Sequence, residues 1–263
     1  MVENVNIHAS AIIEDGAEIG EGTSVGPFCF VGSKVRLGQN VELKSHVVIK
    51  GDTFLGDENT VFPFAVLGEI PQDKKFNGES TSLKIGNRNQ IREHVTINVG
   101  TKGGGGITKV GNDGLFMAGC HIAHDAQVGD NVILVNNASL AGHCIIEDNV
   151  IVGGLSGVHQ FVRIGEGAII GAVTMVTNDV IPYGLVQAPR GELDGLNLVG
   201  LKRKGVPRAD IMALRAAFQT LSQGDGTFQD RAQKLTDDSE SKYVEKIVSF
   251  VLGHSDRSFL TPR

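Results

Sequence analysis

The chain has 263 residues, enough for one large domain or two small ones. Its net charge of −6 and sequence pI near 5.7 argue against sequence-independent nucleic-acid binding, which needs a basic surface. No window approaches the roughly 18 apolar residues of a membrane span, and the start Met-Val-Glu-Asn-Val-Asn lacks a secretory pattern. Three cysteines in so long a chain do not suggest a disulfide framework, so a cytoplasmic protein without stable membrane insertion is expected.

The 35 glycines are spread along the chain, which marks them as structural. From Ile7 an apolar residue recurs every sixth position through Ile13, Ile19, Val25, Val31, Leu37, Leu43, Ile49, Leu55 and Val61 to Leu67. A second register holds Ile85, Ile91 and Ile97; a third runs from Val110 through Phe116, Ile122, Val128, Leu134 and Leu140 to Val176. Six is a multiple of the strand period of two, so these side chains all point to one side. The residue two before each is usually small, as at Ala17, Cys29, Cys120, Ala138 and Cys144, and shares that inward phase. Three hexads close one coil of 18 residues, and each coil buries its faces only against its neighbours. A sandwich or barrel would separate its strands by turn clusters and would not hold one phase for so long. The reading is a parallel β-helix of hexapeptide repeats over 1–185, with a C-terminal α-helical domain over 186–263.

Two segments break the phase. One runs from Ile70 to Lys84 and the other from Val99 to Lys109, including the run Gly103 to Gly106. Insertions in repeat proteins become loops, often at the binding face. No Gly-Lys-Ser/Thr follows the glycine run, so it reads as a mobile loop and not as a phosphate-binding loop. The hexad phase stops after Pro182. From Pro207 the spacing of Ile211, Leu214, Phe218 and Leu221 predicts a helix ending at Gly224 and Gly226. Further helices are expected over 228–235 and from Ser239 to Leu252, covering the open end of the solenoid.

Histidines, cysteines and an aspartate gather between 120 and 160. A metal site is the first idea, but Cys120 and Cys144 fall on the inward phase and read as core. The histidines fall on outward phases. Counting 18 from His124 reaches Gly142 and then Gln160, so these should stack on one rib, about 4.8 Å apart. Asp125 and His143 flank that column. A base, a carboxylate and a bare glycine amide on one strip suit proton abstraction with stabilisation of an oxyanion. A single convex prism offers no pocket to such a strip, which predicts a closed oligomer with sites between subunits.

The hexad solenoid, His-Ile-Ala-His-Asp (121–125), Asn-Asn-Ala-Ser-Leu-Ala-Gly-His (136–143), Val-His-Gln-Phe (158–161) and Gly-Leu-Lys-Arg (200–203) resemble the UDP-N-acetylglucosamine acyltransferases of lipid A biosynthesis. The resemblance runs essentially from residue 1 to the C-terminal helices. It implies a left-handed coil and a homotrimer that moves a 3-hydroxyacyl chain from acyl carrier protein to the 3-position of UDP-N-acetylglucosamine, the first step of that pathway. It implies His124 as general base, Asp125 as its orienting group and the Gly142 N–H as oxyanion donor. Gln72, Asp73, Lys75, His121, His143, His159, Gln160, Asn197 and Arg203 match positions that contact the sugar nucleotide or the donor. No metal or organic cofactor is implied, and the basic cluster Lys202, Arg203, Lys204 and Arg208 suits an acidic carrier protein.

Two departures from the family pattern stand out. Asn98-Val99 replaces a His-Arg pair, which leaves open whether a 3-hydroxyl or a 3-amino sugar is acylated. Gly171-Ala172 replaces a glycine pair at the acyl-chain ruler, so a shortened acyl pocket is expected. The rival readings are another hexapeptide acyltransferase and a γ-type zinc carbonic anhydrase.

Overall fold

The structure, a computed structural model, describes residues 4–187, 192–223, 225–236, 240–255 and 257–262. The hexads form a left-handed parallel β-helix. Most strands hold two residues, one outward and one inward, as at Glu42–Leu43 and Val48–Ile49. Strands three apart in sequence order pair, giving sheets of 11, 9 and 8 strands that form the three faces. Register follows the 18-residue coil: Glu42 lies opposite Thr60, and Leu43 opposite Val61. The inward residues Val31, Ile49, Leu67, Ile97, Ile122, Leu140 and Val152 have no exposed surface, so the periodicity identified the core. Cys29, Cys120 and Cys144 are buried free thiols, as their phase predicts.

The small inward position also takes asparagine twice. Asn59 and Asn89 are buried near the inter-strand corner, and hydrogen bonds satisfy them. Asn59 Nδ2 donates to the Gly56 and Gly86 carbonyls, while its Oδ1 accepts from Asn89 N–H at 2.8 Å. On the adjoining rib an acceptor ladder ties coil to coil. The backbone N–H groups of Gln39, Asp57, Asn87, Asn112 and Asp130 donate in turn to Oδ1 of Asp57, Asn87, Asn112, Asp130 and Asp148.

The corners are left-handed. Phe28, His46, Phe64, His94, Asp125, His143, Leu155 and Phe161 all have φ between 56° and 67°, a region that L residues enter rarely. On one corner the rings of Phe28, His46, Phe64 and His94 follow one another at 4.9 to 5.1 Å, the first two pairs tilted and the last stacked.

Both phase breaks connect the 9-stranded sheet to the 8-stranded sheet at the same corner. Residues 70–81 leave Val66–Glu69 and return at Ser82–Ile85; residues 99–106 leave Thr96–Asn98 and return at Ile107–Val110. Across them the pairing steps lengthen, with Thr60 opposite Gln90 and Thr96 opposite His121. The next turn at that corner, between His121–Ile122 and Gln127–Val128, carries His124 and Asp125.

One parallel strand, Gly184–Gln187, continues past the last hexad, and Glu192–Leu196 returns antiparallel to it. The helices are α1 (Leu198–Arg203), α2 (Arg208–Ser222), α3 (Phe228–Lys234) and α4 (Lys242–Leu252). The spacing of apolar residues predicted α2, α3 and α4. The expected start of the last helix, Ser239, lies outside the described residues, as does Gly224; the helix begins at Lys242 behind Ser241. α1 was not predicted, because its six residues include Gly200 and show too little periodicity.

The helices share the buried core through Leu214, Leu221, Ile247 and Val251, and Tyr243 of α4 meets Tyr183 at the end of the solenoid. A buried ion pair within the solenoid anchors the C-terminal segment to it. Asp179 accepts from Arg163 Nε at 2.7 Å, from Arg163 N–H at 2.8 Å and from Ser255 Oγ. The Arg163 guanidinium lies 4.5 Å over the Phe250 ring of α4.

Candidate active site

Asp125 holds a left-handed backbone, with φ of 60°, and its N–H donates to Thr108 Oγ at 2.8 Å. Three donors meet its carboxylate. Oδ1 accepts from Thr101 N–H at 2.8 Å; Oδ2 accepts from Thr101 Oγ–H at 2.6 Å and from His124 Nδ1 at 2.8 Å. With Nδ1–H given to the carboxylate, Nε2 of His124 carries the lone pair, which is the tautomer a general base needs. The ring rests on Gly142: a Cβ there would lie 2.5 Å from Cε1 and 2.7 Å from Nε2. Only glycine lets the two coils approach in this way.

His143 stands beside the pair. Its Nδ1 is 3.8 Å from Asp125 Oδ2, and its ring meets His124 edge-on at 5.1 Å and stacks on Phe161 at 4.4 Å. Burial lowers the pKa of His143 from the ordinary histidine value, with the Asp125 charge pulling the other way. Burial and the neighbouring His124 lower that of His121, whose Nδ1 lies 2.7 Å from Thr96 Oγ. Loss of hydration disfavours the imidazolium in both rings.

The constellation separates two cavities. One, of about 410 Å³, is lined by Gln72, His121, His124, Gly142, His159 and Gln160, together with Asn98 and Met175. The other, of about 290 Å³, is lined by Asp73, Lys75, Glu79, Thr101, His143 and Phe161. A convex prism without any wall was expected; the 70–81 insertion instead supplies one within the single chain, and His124 is only 5% exposed. The glycine run was expected to be a mobile loop. It is a 3₁₀ turn, Lys102–Gly104, packed on Asp125, and a Cβ at Gly104 would fall 2.1 Å from Asp125 Cγ.

Four predicted residues do not reach either cavity within one chain. The Asn197 carboxamide caps α1, accepting from Gly200 N–H at 2.9 Å, and donates to the Gly167 carbonyl at 3.0 Å. Arg203 ends the same helix. Gly171 and Ala172 belong to a turn outside the lining, which includes Met175 with its thioether over Gly157. Of the departing pair, Asn98 lines the larger cavity and its Nδ2 donates to the Glu69 and Ile70 carbonyls, tying down the root of the insertion. Val99 is buried away from that cavity, beside Gly51.

Sequence reasoning missed Thr101, Met175 and Arg257. Arg257 Nη2 lies 3.0 Å from His159 Nδ1, reached from the far C-terminal segment. For these three no local signal existed, since neither phase nor motif marks them.

His124, Asp125 and His143 could bring three metal-ligand atoms within 4.8 Å of one another. Both Asp125 oxygens and His124 Nδ1 are already engaged in hydrogen bonds. Burial pushes the Cys120 thiol up to about 11 and that of Cys144 to about 12, far from the thiolate zinc would need. The donor set fits a hydrogen-bonded base better than a zinc centre.

A family profile described as UDP-N-acetylglucosamine O-acyltransferase, domain 2, matches residues 179–260, and one described as bacterial transferase hexapeptide matches 16–51. The acyl-[acyl-carrier-protein]–UDP-N-acetylglucosamine O-acyltransferase of Paracoccus denitrificans is 66% identical over 202 residues, 77% of each chain. The chain belongs to this acyltransferase family. The Rhizobium johnstonii relative of the same name is 45% identical over 263 residues, spanning 100% of this chain and 97% of its own. Two solved structures are similar throughout. An LpxA from Acinetobacter baumannii has a TM-score of 0.94 at 37% identity, covering 97% of this chain and 99% of its own. The UDP-N-acetylglucosamine acyltransferase from Campylobacter jejuni has 0.92 at 39%, covering 98% and 100%. Among the described residues no helix is long and apolar enough to cross a membrane.

Proposed function

We propose that this family member transfers a 3-hydroxyacyl chain from the thioester of acyl carrier protein to the 3-position of UDP-N-acetylglucosamine, opening lipid A biosynthesis in the cytoplasm. The observation that carries the reading is the fixed tautomer of His124, with its ring on Gly142 at the wall of the larger cavity. Nε2 takes the proton of the 3-hydroxyl as that oxygen attacks the thioester carbonyl. The negative charge on the carbonyl oxygen is received by the Gly142 N–H, which donates to no described residue. The C–S bond then breaks, and the His124 imidazolium returns its proton to the leaving thiolate. Asp125 holds the ring through both steps and stabilises the transient imidazolium.

Gln72, His121, His159 and Gln160 would hold substrate in the larger cavity; Asp73, Lys75 and His143 would do so in the smaller one. Asn197 and Arg203 sit on or beside α1, outside both cavities, so they would serve a neighbouring protomer's site in a homotrimer. The basic end of α1 would meet the carrier protein. Neither a metal nor an organic cofactor enters this chemistry. The division of labour puts catalysis in 1–185 and carrier docking in 186–263. The same base would serve a 3-amino acceptor, and mass spectrometry of the product separates ester from amide.

His124→Ala should lower kcat by about 10²–10⁴, the usual cost of a general base, while sedimentation still shows the assembled trimer. Turnover near that of the parent enzyme would remove His124 from the role.

A further inference from the structure

The glycine-rich insertion has no place in that mechanism, although it packs on the least exposed charge of the site. Asp125 has a fully buried side chain, and among the described residues only one outside its own turn donates to its carboxylate. That residue is Thr101, whose N–H and Oγ–H reach one oxygen each. Gly104 comes so close to the carboxylate that no side chain could stand there, and it donates N–H back to the Thr101 carbonyl at 3.0 Å. Gly106 N–H donates to the same carbonyl at 2.8 Å. Gly105 and Gly106 turn the chain with φ of 93° and 81°, values that suit glycine. The segment is thus a tight cap whose outcome is two donors aimed at Asp125.

We infer that Thr101 is a positioning residue of the reaction: the 99–106 turn clamps Asp125 so that Oδ2 holds His124 in its basic tautomer and orientation. The inference rests on His124 acting as the base. A carboxylate with one partner can rotate about its Cβ–Cγ bond, and water can compete for its oxygens. With both oxygens bound to Thr101, the plane is fixed, and Oδ2 has one direction left for His124 Nδ1–H. The Thr101 hydroxyl shares Oδ2 with the imidazole, so it also tempers the negative charge the ring feels. Removing the hydroxyl frees the carboxylate to swing and strengthens its pull on a protonated ring. Both effects lower the fraction of correctly placed neutral base at a given pH.

The charged and titratable groups around this pair come from each packed element. His121 faces His124 from the same coil, His143 faces both residues from the next coil, and Asp73 acts on His143 from the 70–81 insertion. None of them donates to the Asp125 oxygens at hydrogen-bond distance among the described residues.

Thr101→Val removes the hydroxyl at nearly constant volume and keeps the backbone donor; Thr101→Ser keeps both donors. Steady-state kinetics with acyl carrier protein thioester and UDP-N-acetylglucosamine should show Val at least tenfold slower in kcat on the alkaline plateau, since hydrogen bonds to charged groups contribute about 1.5–3 kcal/mol. KM values should be little changed. The acid limb of the pH–rate profile should move to higher pH, and Ser should restore both rate and limb. Adding Thr101→Val to His124→Ala should cost nothing further, because Thr101 acts through His124. A merely structural threonine would lower thermal stability and leave the limb in place. An unmoved limb with full kcat in Thr101→Val overturns the clamp while His124→Ala keeps its large loss of kcat. Near-parental turnover in His124→Ala overturns the base itself, and the two failures are thereby told apart.

Discussion

A methyl group added at Gly142 would lie 2.5 Å from Cε1, 2.7 Å from Nε2 and 3.1 Å from Nδ1 of His124. Carbon atoms in contact sit about 3.5–4.0 Å apart, so the imidazole must retreat by about 1 Å. It cannot do so and keep its 2.8 Å bond to Asp125, because Thr101 fixes the carboxylate. Gly142 is absent from the positive-φ positions, so alanine suits the backbone, and the three closest atoms it meets all belong to the His124 ring. A displacement of about 1 Å at a reacting group costs about 10²-fold in rate, and overpacking of this kind costs about 1–3 kcal/mol of stability. Gly142→Ala should therefore fold and assemble with a modestly lower melting temperature and turn over about a hundredfold more slowly. Gly195→Ala supplies the control, since a Cβ there meets nothing within 4 Å. The assay follows labelled acyl transfer from the carrier protein. Equal kcat in Gly142→Ala and Gly195→Ala would refute the stacked geometry of His124 on Gly142.

Burial holds His121 and His143 below the ordinary histidine pKa, so the unfolded chain binds protons more readily than the folded one below about pH 6.5. Their contribution to stability is complete above that value and is lost as pH falls toward the folded values; urea midpoints at pH 7.5 and 5.5 should show the drop, and His121→Gln should flatten it. Asp179→Ala leaves the Arg163 guanidinium buried without its carboxylate and should cost about 3–5 kcal/mol in chemical denaturation. For donor length, Ala172→Gly should favour longer acyl chains if the turn at 171–172 measures them. Met175→Ala should do so if the thioether over Gly157 ends the cavity. Competition among hydroxyacyl donors of different length, read by mass spectrometry, distinguishes the two, each as a preference of about 1–3 kcal/mol.

The solenoid was legible because each hexad repeats one decision, a side chain pointing in, and the phase adds up over many turns. His124, Gly142 and Gln160 could be aligned by counting 18, since no insertion separates them. The same count fails for Thr101. It reaches Asp125 across 24 residues and starts inside the out-of-phase segment 99–109, where no period links position to direction. Arg257 is harder still, arriving at His159 from 98 residues further along the chain by way of the Ser255–Asp179 anchor. The core asparagines Asn59 and Asn89 look polar in sequence and are at home inside only because neighbouring carbonyls and amides meet every donor and acceptor. Helix α1 hides behind its brevity.

The left-handed corners give this architecture an unusual freedom. Most side chains there project away from the packed interior, and aromatic ones meet the corner rings one coil above and below; Asp125, roofed by the 99–106 turn, is the buried exception. Asp125, His143 and Phe161 occupy one such column; Phe28, His46, Phe64 and His94 occupy another. Exchanging a residue in a column leaves the aliphatic lattice intact, so chemistry can be rewritten at the vertices without renegotiating the interior. The cost is conformational and falls on each vertex alone, which makes this prism a rack on which reactive groups are hung at fixed spacing.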